Sequence, residues 1–364
     1  MIRRVLERIA EKIDGPLFSI VCCLLAIGLA TLYSAAYQAP GRVAAQALFM
    51  LLALALMWAT AQVPPQTFMR YAIPAFALVL LMLVGVALFG DVRNGARRWL
   101  PLGFGSVQPS ELMKIAMPLM LASYFHRHEQ TLRFREFAVA LVLLAVPTAM
   151  IARQPDLGTA LLVATAGFYV VFLAGLSWKI IAGGTAAVIA SLPVLWGVLH
   201  DYQRRRFLTL LDPSSDPLGA GYHIIQSTIA VGSGGILGKG WLNGTQAQLD
   251  FVPERSTDFI LAVFGEEFGL VGNVVLILLY LLIIARGMMI AANASTVFSR
   301  LTAGAITLTF FTYAFVNMGM VSGILPVVGV PLPMISYGGT ALLSILAGFG
   351  ILMSISTHKQ LVSS

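Results

Sequence analysis

Long apolar runs separated by short polar segments dominate this chain of 364 residues. A transmembrane helix needs about 20 mainly apolar residues, and a bilayer admits only backbone whose hydrogen bonds are satisfied internally. The pattern therefore predicts an all-α polytopic membrane protein with ten transmembrane helices. The predicted spans lie near 16–36, 44–61, 73–90, 110–125, 137–152, 157–175, 180–199, 259–285, 303–322 and 338–355. The runs near 110 and 137 are short, so we expect these helices to be tilted or partly buried in the bundle.

Composition supports a single membrane domain over residues 1–364. The chain is 58% hydrophobic and 11% charged, whereas soluble domains carry about a quarter charged residues. The basic start MIRRVLERIAEK leads into the first run without a small-residue cleavage site, which predicts a retained helix. Cys22 and Cys23 are adjacent and suit neither a disulfide framework nor a metal site. We find no Walker loop, dinucleotide fingerprint or zinc spacing, and we expect no nucleic-acid partner.

The distribution of charged residues between the two sides of the membrane also indicates where a functional site lies. With a cytoplasmic N-terminus and ten helices, the inner side carries 12 basic and 5 acidic residues, and the outer side carries 11 of each. The basic residues alone hardly discriminate between the two orientations. The outer charges are clustered and of mixed sign, and they indicate a polar site that faces outward.

Residues 200–258, between the seventh and eighth predicted helices, form a loop too long for a plain connection. The loop contains a basic cluster, Arg204, Arg205 and Arg206, and turn signals in DPSSDP and GSGG. Its apolar stretch HIIQSTIAV predicts a short helix at the membrane interface. His223 in this loop has no ligand partner nearby in sequence, and a hydrogen-bonding role is favoured over a catalytic one.

Three outer segments place a proline followed by an acid at a predicted helix start: VQPSELMK, RQPDLGTA and FVPERSTD. Proline suits the first helical position, and acids suit a helix N-terminus. Simple capping explains Asp156 as well as a functional role does. Three such starts beside basic residues also predict an anion site, because helix N-termini bind anions.

Two pairs of ionisable residues extend this prediction. Glu111 and Lys114 lie on one helix face at membrane depth, where ion pairs usually mark a site, although a structural pair is the alternative. Glu254 and Asp258 share a face if a helix begins at Pro253. Two like charges there need a cation between them, a raised pKa or separation by water.

Eight stretches, in order along nearly the whole chain, resemble the shape, elongation, division and sporulation (SEDS) family. They are ARRWL (96–100), QPSELMKIA (108–116), QPDLGTA (154–160), DPLGAGYHIIQS (216–227), GSGGILGKGW (232–241), PERSTDFI (253–260), GEEFGLVG (265–272) and GILPVVGVPLPMISYGGT (323–340). The PERSTDF and GYHIIQS stretches are more similar to the branch that acts in cell elongation and rod shape than to the division branch.

The resemblance implies a glycosyltransferase that polymerises lipid II at the outer face of the bacterial cytoplasmic membrane. It also implies a class B penicillin-binding protein as transpeptidase partner within the elongation machinery. The family's essential acid in the TDF stretch corresponds to Asp258, which we interpret as the general base for the acceptor hydroxyl.

The leaving group in this reaction is undecaprenyl diphosphate, which basic and polar side chains would hold. The candidates are Lys114, Glu111, Arg98, Arg153, Arg204, Arg205, Arg206, Arg255, Gln154, Gln226, Lys239 and Ser336. Acids beside a diphosphate would repel it, so we expect a divalent cation, Mg²⁺ or Mn²⁺, at Asp258 with Asp156 or Glu111.

Two other functions stay open from the sequence. A lipid II flippase would carry cations along a path on both sides of the membrane midplane, whereas the site-like charges here are concentrated at one mouth. A non-catalytic scaffold for a transpeptidase would not need Asp258.

Overall fold

A computed structural model describes residues 12–37, 39–93, 96–101, 106–198, 204, 208–216 and 219–358. Arg205 and Arg206 of the predicted basic cluster lie outside these residues. The helices are α1 Gly15–Ala35, α2 Pro40–Gln62, α3 Pro65–Phe89, α4 Pro109–Arg127, α5 Phe134–Ala152, α6 Leu157–Leu173, α7 Trp178–Val198, α8 Ala220–Ser233, α9 Thr245–Gln248, α10 Ile260–Ala292, α11 Val297–Val321 and α12 Gly339–Thr357.

Each predicted apolar run coincides with one of these helices, and the helical membrane fold is confirmed. Within the described residues, seven helices are long and apolar enough to cross a membrane: α1, α2, α3, α5, α10, α11 and α12. The other three predicted spans correspond to α4, α6 and α7. Helix α4 carries the Glu111 and Lys114 pair, and α6 has 17 residues. The stretch HIIQSTIAV lies in α8, which confirms the predicted helix, and its place at the membrane interface stays a prediction.

The chain also contains a short antiparallel sheet, which the all-α prediction missed. Its strands are β1 Asp91–Arg93, β2 Ala96–Pro101 and β3 Ser106–Val107, in the order β1-β2-β3. The strands have two to six residues, too few for their alternation to stand out from an ordinary connection. The ARRWL stretch lies on β2, and β2 pairs with β3, which ends shortly before α4 begins.

Helix α10 is broken at Gly269, where a loop from the segment before it is inserted. Gly269 has φ of 63° and ψ of −160°. The amides of Lys239 and Gly240 donate to the carbonyls of Glu266 and Glu267, both at 3.0 Å. In return, the amides of Leu270 and Val271 donate to the carbonyls of residues 235 and 236, at 2.9 and 3.1 Å. The loop thus supplies the hydrogen bonds that the break removes from the helix.

A Cβ at Gly269 would lie 2.3 Å from the Gly238 amide nitrogen. The positive φ and this close approach together explain why the break requires glycine.

A second non-helical segment, 323–338, passes through the interior between α11 and α12. Val330, Leu332, Met334 and Ile335 in this segment are almost fully buried. Irregular backbone at this depth needs hydrogen-bond partners from its neighbours. The Tyr280 hydroxyl donates to the carbonyl of Pro333 at 2.6 Å, and other partners are described with the site below.

At one end of the bundle, three helices meet at the buried Asp14. Arg286 of α10 donates to both carboxylate oxygens, at 3.0 and 2.6 Å, and Ser356 of α12 donates at 2.7 Å. Asp14 also accepts from the Leu17 amide and so caps α1. Burial alone would raise the pKa of Asp14, but the hydrogen bonds from Arg286, Ser356 and Leu17 hold this pKa below its usual value.

We expect Asp14→Ala to destabilise the protein by about 3 kcal/mol, because it leaves the Arg286 guanidinium without its buried partner. The measurement is the thermal unfolding midpoint of purified protein in detergent. Glu129→Gln is the matched control, since Glu129 is half exposed and pairs with His126 at 3.6 Å. Equal midpoints for Asp14→Ala and the wild type would contradict a stabilising role for the Asp14 contacts.

Candidate active site

The candidate base Asp258 lies in a turn before α10, not in a helix. Residues 253–259 form consecutive turns, and α10 begins at Ile260. The expected helix start at Pro253 is therefore wrong, because Glu254 adopts a positive φ of 47°, which interrupts helical geometry. Glu254 and Asp258 consequently do not form an i, i+4 pair on a helix face.

Side chains from the interior hold this turn through its carbonyls. Asn317 of α11 donates to the carbonyls of Asp258 at 2.8 Å and of Val330 at 2.7 Å. Ser336 donates to the Thr257 carbonyl at 2.6 Å and accepts from the Leu332 amide at 2.8 Å. The predicted substrate ligand Ser336 thus has partners within the protein. These contacts fix the backbone on both sides of the Asp258 carboxyl against segment 323–338.

The Asp258 carboxyl itself is partly buried beside Gly329. A Cβ at Gly329 would lie 3.5 Å from Asp258 Oδ2. Burial, with a smaller contribution from the negative charge of Glu254, raises the pKa of Asp258 to about 6. A carboxyl with such a pKa can accept a proton near neutral pH.

Lys114 and Glu111 form a buried ion pair on α4. The Lys114 ammonium lies 2.6 Å from Glu111 Oε1, and both residues are less than a tenth exposed. The Tyr313 hydroxyl of α11 contacts the same ammonium, and Ser344 of α12 donates to Glu111 Oε2 at 3.0 Å. The pair therefore joins α4, α11 and α12, and its partners Tyr313 and Ser344 were not predicted.

Tyr313 and Asn317 connect the two groups. They are four residues apart on α11, so they lie one turn apart on the same face. Tyr313 contacts Lys114, and Asn317 holds the Asp258 turn. The sequence carried no signal for Asn317, because an asparagine in an apolar run resembles any packed polar residue.

Asp156 lies at the start of α6 within a third polar group. Its carboxylate caps the helix through the Thr159 amide at 3.2 Å, accepts from Gln108 at 3.2 Å and lies 3.8 Å from Arg98 Nε. Gln154 is buried close by in sequence, and its amide nitrogen has no hydrogen-bond partner. Both the capping interpretation and the contact with a basic residue are therefore confirmed for Asp156.

The close approach of α6 to segment 323–338 brings the Asp156 group near Asp258. A Cβ at Gly158 would meet the Val328 carbonyl at 2.8 Å, and Gly329 is the residue beside the Asp258 carboxyl.

Of the three proline starts, α4 alone has proline in its first turn, at Pro109. For α6, the prediction of a proline just inside the helix start was wrong, because Asp156 is the N-cap and the helix begins at Leu157.

Two of the predicted phosphate-binding cations are paired with protein groups. Arg255 contacts Asp250 and the Ala247 carbonyl. Lys239 lies 2.6 Å from Glu266, whose fully buried carboxylate also accepts from Thr245 and from the Gln246 amide. Glu266 thus holds the segment that leads back to Arg255 and the Asp258 turn.

The remaining candidates occupy separate places. Arg153 is exposed at the end of α5, and Arg204 donates to the Gly197 carbonyl at 2.7 Å. Gln226 is half-buried on α8. On the same helix, the His223 ring packs 5.5 Å from the Phe259 ring, and its Nδ1 is buried without a partner. Burial lowers the pKa of His223, against the effect of Glu254 and Asp216.

The predicted metal ligands Asp258, Asp156 and Glu111 are not gathered into one set. Among the described residues, there is no group of three or more acidic, histidine or cysteine side chains that could hold a metal ion. Glu111 and Asp156 each have cationic or amide partners of their own. A cation at Asp258 stays a prediction.

Because burial raises its pKa, Asp258 should reduce stability once it ionises. Folded protein binds the proton more tightly than unfolded protein between the usual pKa of 3.8 and about 6, so stability falls as the pH rises through this window. We expect Asp258→Asn to unfold at a higher temperature than the wild type at pH 8, and the difference to vanish at pH 4.

Glu254→Gln is the control for this measurement. It removes an exposed neighbouring charge but leaves Asp258 buried, so it should keep most of the pH dependence. A wild type and an Asp258→Asn protein with the same unfolding midpoint at every pH would contradict the raised pKa.

Comparisons with known proteins agree with this architecture. The family model described as "Cell cycle protein" (FtsW, RodA, SpoVE) matches residues 16–361. The chain is 51% identical to the peptidoglycan glycosyltransferase MrdB of Escherichia coli K12 over 352 residues, covering 96% of this chain and 95% of that protein. It is 38% identical to the probable peptidoglycan glycosyltransferase FtsW of Geobacter metallireducens, covering 86% and 84%.

Solved structures show the same fold. A chain from a peptidoglycan synthase complex that coordinates polymerization and crosslinking matches with a TM-score of 0.82 and 35% identity, covering 94% of this chain and 97% of that one. The rod shape determining protein RodA of Thermus thermophilus matches with a TM-score of 0.72 and 28% identity, covering 95% and 98%. With these matches over nearly its whole length, the chain belongs to the FtsW/RodA/SpoVE family of cell cycle proteins.

Proposed function

We infer that this protein is a peptidoglycan glycosyltransferase that polymerises lipid II for cell elongation. The observation that carries this inference is the Asp258 carboxyl, partly buried, with a pKa raised to about 6 and with its backbone fixed by Asn317 and Ser336. The relatives named as peptidoglycan glycosyltransferases supply the substrate class.

In this proposal Asp258 is the general base. A sugar 4-hydroxyl of the acceptor lipid II attacks the anomeric carbon of the growing glycan. The hydroxyl proton passes to the Asp258 carboxylate, the new glycosidic C–O bond forms, and the bond from the anomeric carbon to the diphosphate breaks with its electron pair. A base is most effective when its pKa lies near the working pH, which suits a value of about 6.

Lys114 and Arg98 are the favoured ligands for the departing diphosphate. The Lys114 ammonium is buried, and burial strengthens its attraction for a developing anion. The Arg98 guanidinium reaches Asp156 at 3.8 Å, and its Nε has no hydrogen-bond partner. Arg255 and Lys239, like Lys114, are each paired with a protein acid, so Arg98, whose Nε lies 3.8 Å from Asp156, is the least neutralised of the four cations.

The proposed topology has ten membrane crossings, with α4, α6 and α7 completing the set, and with both termini in the cytoplasm. Asp258 precedes α10, whereas Arg286 near the other end of α10 contacts Asp14 at the start of α1. A cytoplasmic N-terminus thus implies an outward-facing site. A class B penicillin-binding protein is the proposed transpeptidase partner, which agrees with the complex that coordinates polymerization and crosslinking.

A divalent cation, Mg²⁺ or Mn²⁺, also belongs to the proposal. Mg²⁺ commonly binds one or two carboxylates together with substrate phosphates and waters, so it does not require a preformed set of three protein acids. Asp258 would hold the cation together with the diphosphate oxygens of the bound substrate. When bound, the cation would neutralise charge on the leaving group.

A flippase or a non-catalytic scaffold is less well supported. Three of the described ionisable residues, Glu254, Asp156 and Arg98, lie close to the starts of α6 and α10, the same end as Asp258. A scaffold gives no reason for a carboxyl at Asp258 whose pKa is raised by burial.

We expect purified protein, with its transpeptidase partner, to convert lipid II into glycan polymer that is resolved on a gel. Asp258→Asn should reduce polymer formation by at least about 100-fold, in the range of a general base contribution. Asp212→Asn is the matched control, since Asp212 is an exposed cap of a short turn in the same long loop and should leave the rate unchanged.

Two outcomes of this assay would contradict the proposal. Full polymerisation by Asp258→Asn would contradict the base assignment. No polymer from wild type with bound partner, together with lipid II translocation in vesicles, would favour the flippase.

We further expect chelation of divalent cations to abolish polymerisation and Mg²⁺ or Mn²⁺ to restore it, because the leaving diphosphate would lack charge compensation. The measurement is polymer yield against free metal concentration, at constant ionic strength. Unchanged yield in excess chelator would rule out the cation without affecting the assignment of Asp258.

A further inference from the structure

The inserted loop 234–241 presents its apolar side chains to the surroundings. Ile236 and Leu237 are 69% and 79% exposed, and Trp241 is 46% exposed. Between them lies Lys239, whose ammonium is directed inward to the buried Glu266 at 2.6 Å. The charge of the partly exposed Lys239 is thus paired with a buried acid, and the large apolar side chains of the loop form its outer surface.

Backbone hydrogen bonds fix this surface at the break in α10. The amide of Val271 donates to the Ile236 carbonyl at 3.1 Å, so Ile236 lies beside the first residues after the break. A Cβ at Gly238 would lie 2.1 Å from the Glu267 carbonyl oxygen, which shows how closely the two backbones pack. The loop therefore cannot shift relative to α10 without losing these bonds.

The position of the break along α10 gives the depth of the loop. From Leu270 to Ala292 the helix has 23 residues, about 34 Å at 1.5 Å per residue, which is enough to cross the hydrocarbon core. The residues just after the break, including Leu270, Val271 and Val274, are large, apolar and about half exposed. They belong to the lipid-facing side of a membrane-crossing helix, and loop 234–241 continues this side.

Contacts with α1 place the loop at the same membrane boundary. Trp241 donates from its indole nitrogen to the Ala30 carbonyl at 3.0 Å, and its ring lies 5.8 Å from that of Tyr33. Ala30 is about 23 Å along α1 from Gly15, so the contact is at the opposite end from Asp14. Exposed Tyr33 and Trp241 are residue types enriched at membrane interfaces.

We propose that loop 234–241 is embedded in the lipid leaflet at this boundary, with the Ile236 and Leu237 side chains among the acyl chains. The occupant of this surface is lipid, because the surface continues the lipid-facing side of α10 and the one charged residue of the loop, Lys239, is paired with the buried Glu266. The polar backbone of the loop tolerates this depth because the ends of α10 at the break satisfy it.

The test uses nitroxide spin labels on full-length protein in nanodiscs of phosphatidylethanolamine and phosphatidylglycerol. Cys22 and Cys23 are first replaced by alanine, and a single cysteine is introduced by Leu237→Cys or Ile236→Cys. Collision rates are measured by electron paramagnetic resonance with oxygen, which concentrates in acyl chains, and with a water-soluble nickel chelate.

Two matched positions calibrate the result. Leu278→Cys lies on the exposed side of α10 and Ser214→Cys in an exposed turn of the long loop. We expect labels at 236 and 237 to resemble the one at 278, with nickel collisions severalfold below those at 214. Nickel collisions equal to those at 214 would overturn the proposal. Protection from both reagents would also overturn it, since the surface would then be covered by protein.

Discussion

The structure depends on the need to satisfy backbone hydrogen bonds in two non-helical segments inside a membrane bundle. Segment 323–338 relies on Asn317, Tyr280 and Ser336. Loop 234–241 relies on the carbonyls and amides released where α10 breaks at Gly269. Each backbone group of these segments that lay out of reach of water without a partner would cost several kcal/mol. The fold itself therefore requires Asn317, Tyr280, Ser336 and Gly269, whether or not they also take part in catalysis.

The candidate active site is built on the same contacts. Asn317 bonds the carbonyls of Asp258 and Val330 together, so the turn that carries the base is attached to the buried segment. Gly329 in that segment lies beside the base, and α6 approaches it closely enough to need Gly158. The Asp258 carboxyl is thus held by a backbone segment that keeps one conformation because its buried hydrogen-bonding groups need their partners. Its raised pKa follows from the burial that this rigid setting imposes.

The sequence predicted the helices well, because runs of apolar residues are a strong and local signal. Lys114 and Glu111 were singled out because ionisable residues are costly at membrane depth, whereas the role of Asp258 came from the resemblance of its TDF stretch. The sequence did not predict the site contacts of Asn317, Tyr313 or Ser344, because their partners are distant in sequence. The helix expected from Pro253 failed because Glu254 adopts a positive φ, which the local sequence pattern did not indicate. Lys239 resembled a phosphate ligand because its partner Glu266 lies 27 residues away.

Helix α11 carries Tyr313 and Asn317 on successive turns of one face. One of them contacts the Lys114 ammonium and the other holds the carbonyl of the candidate base. A rotation or axial shift of α11 would therefore displace both contacts together and by a similar amount. The Lys114 ammonium and the turn that carries Asp258 thus both depend on the position of one helix, and a binding event that moved α11 would change the positions of both together.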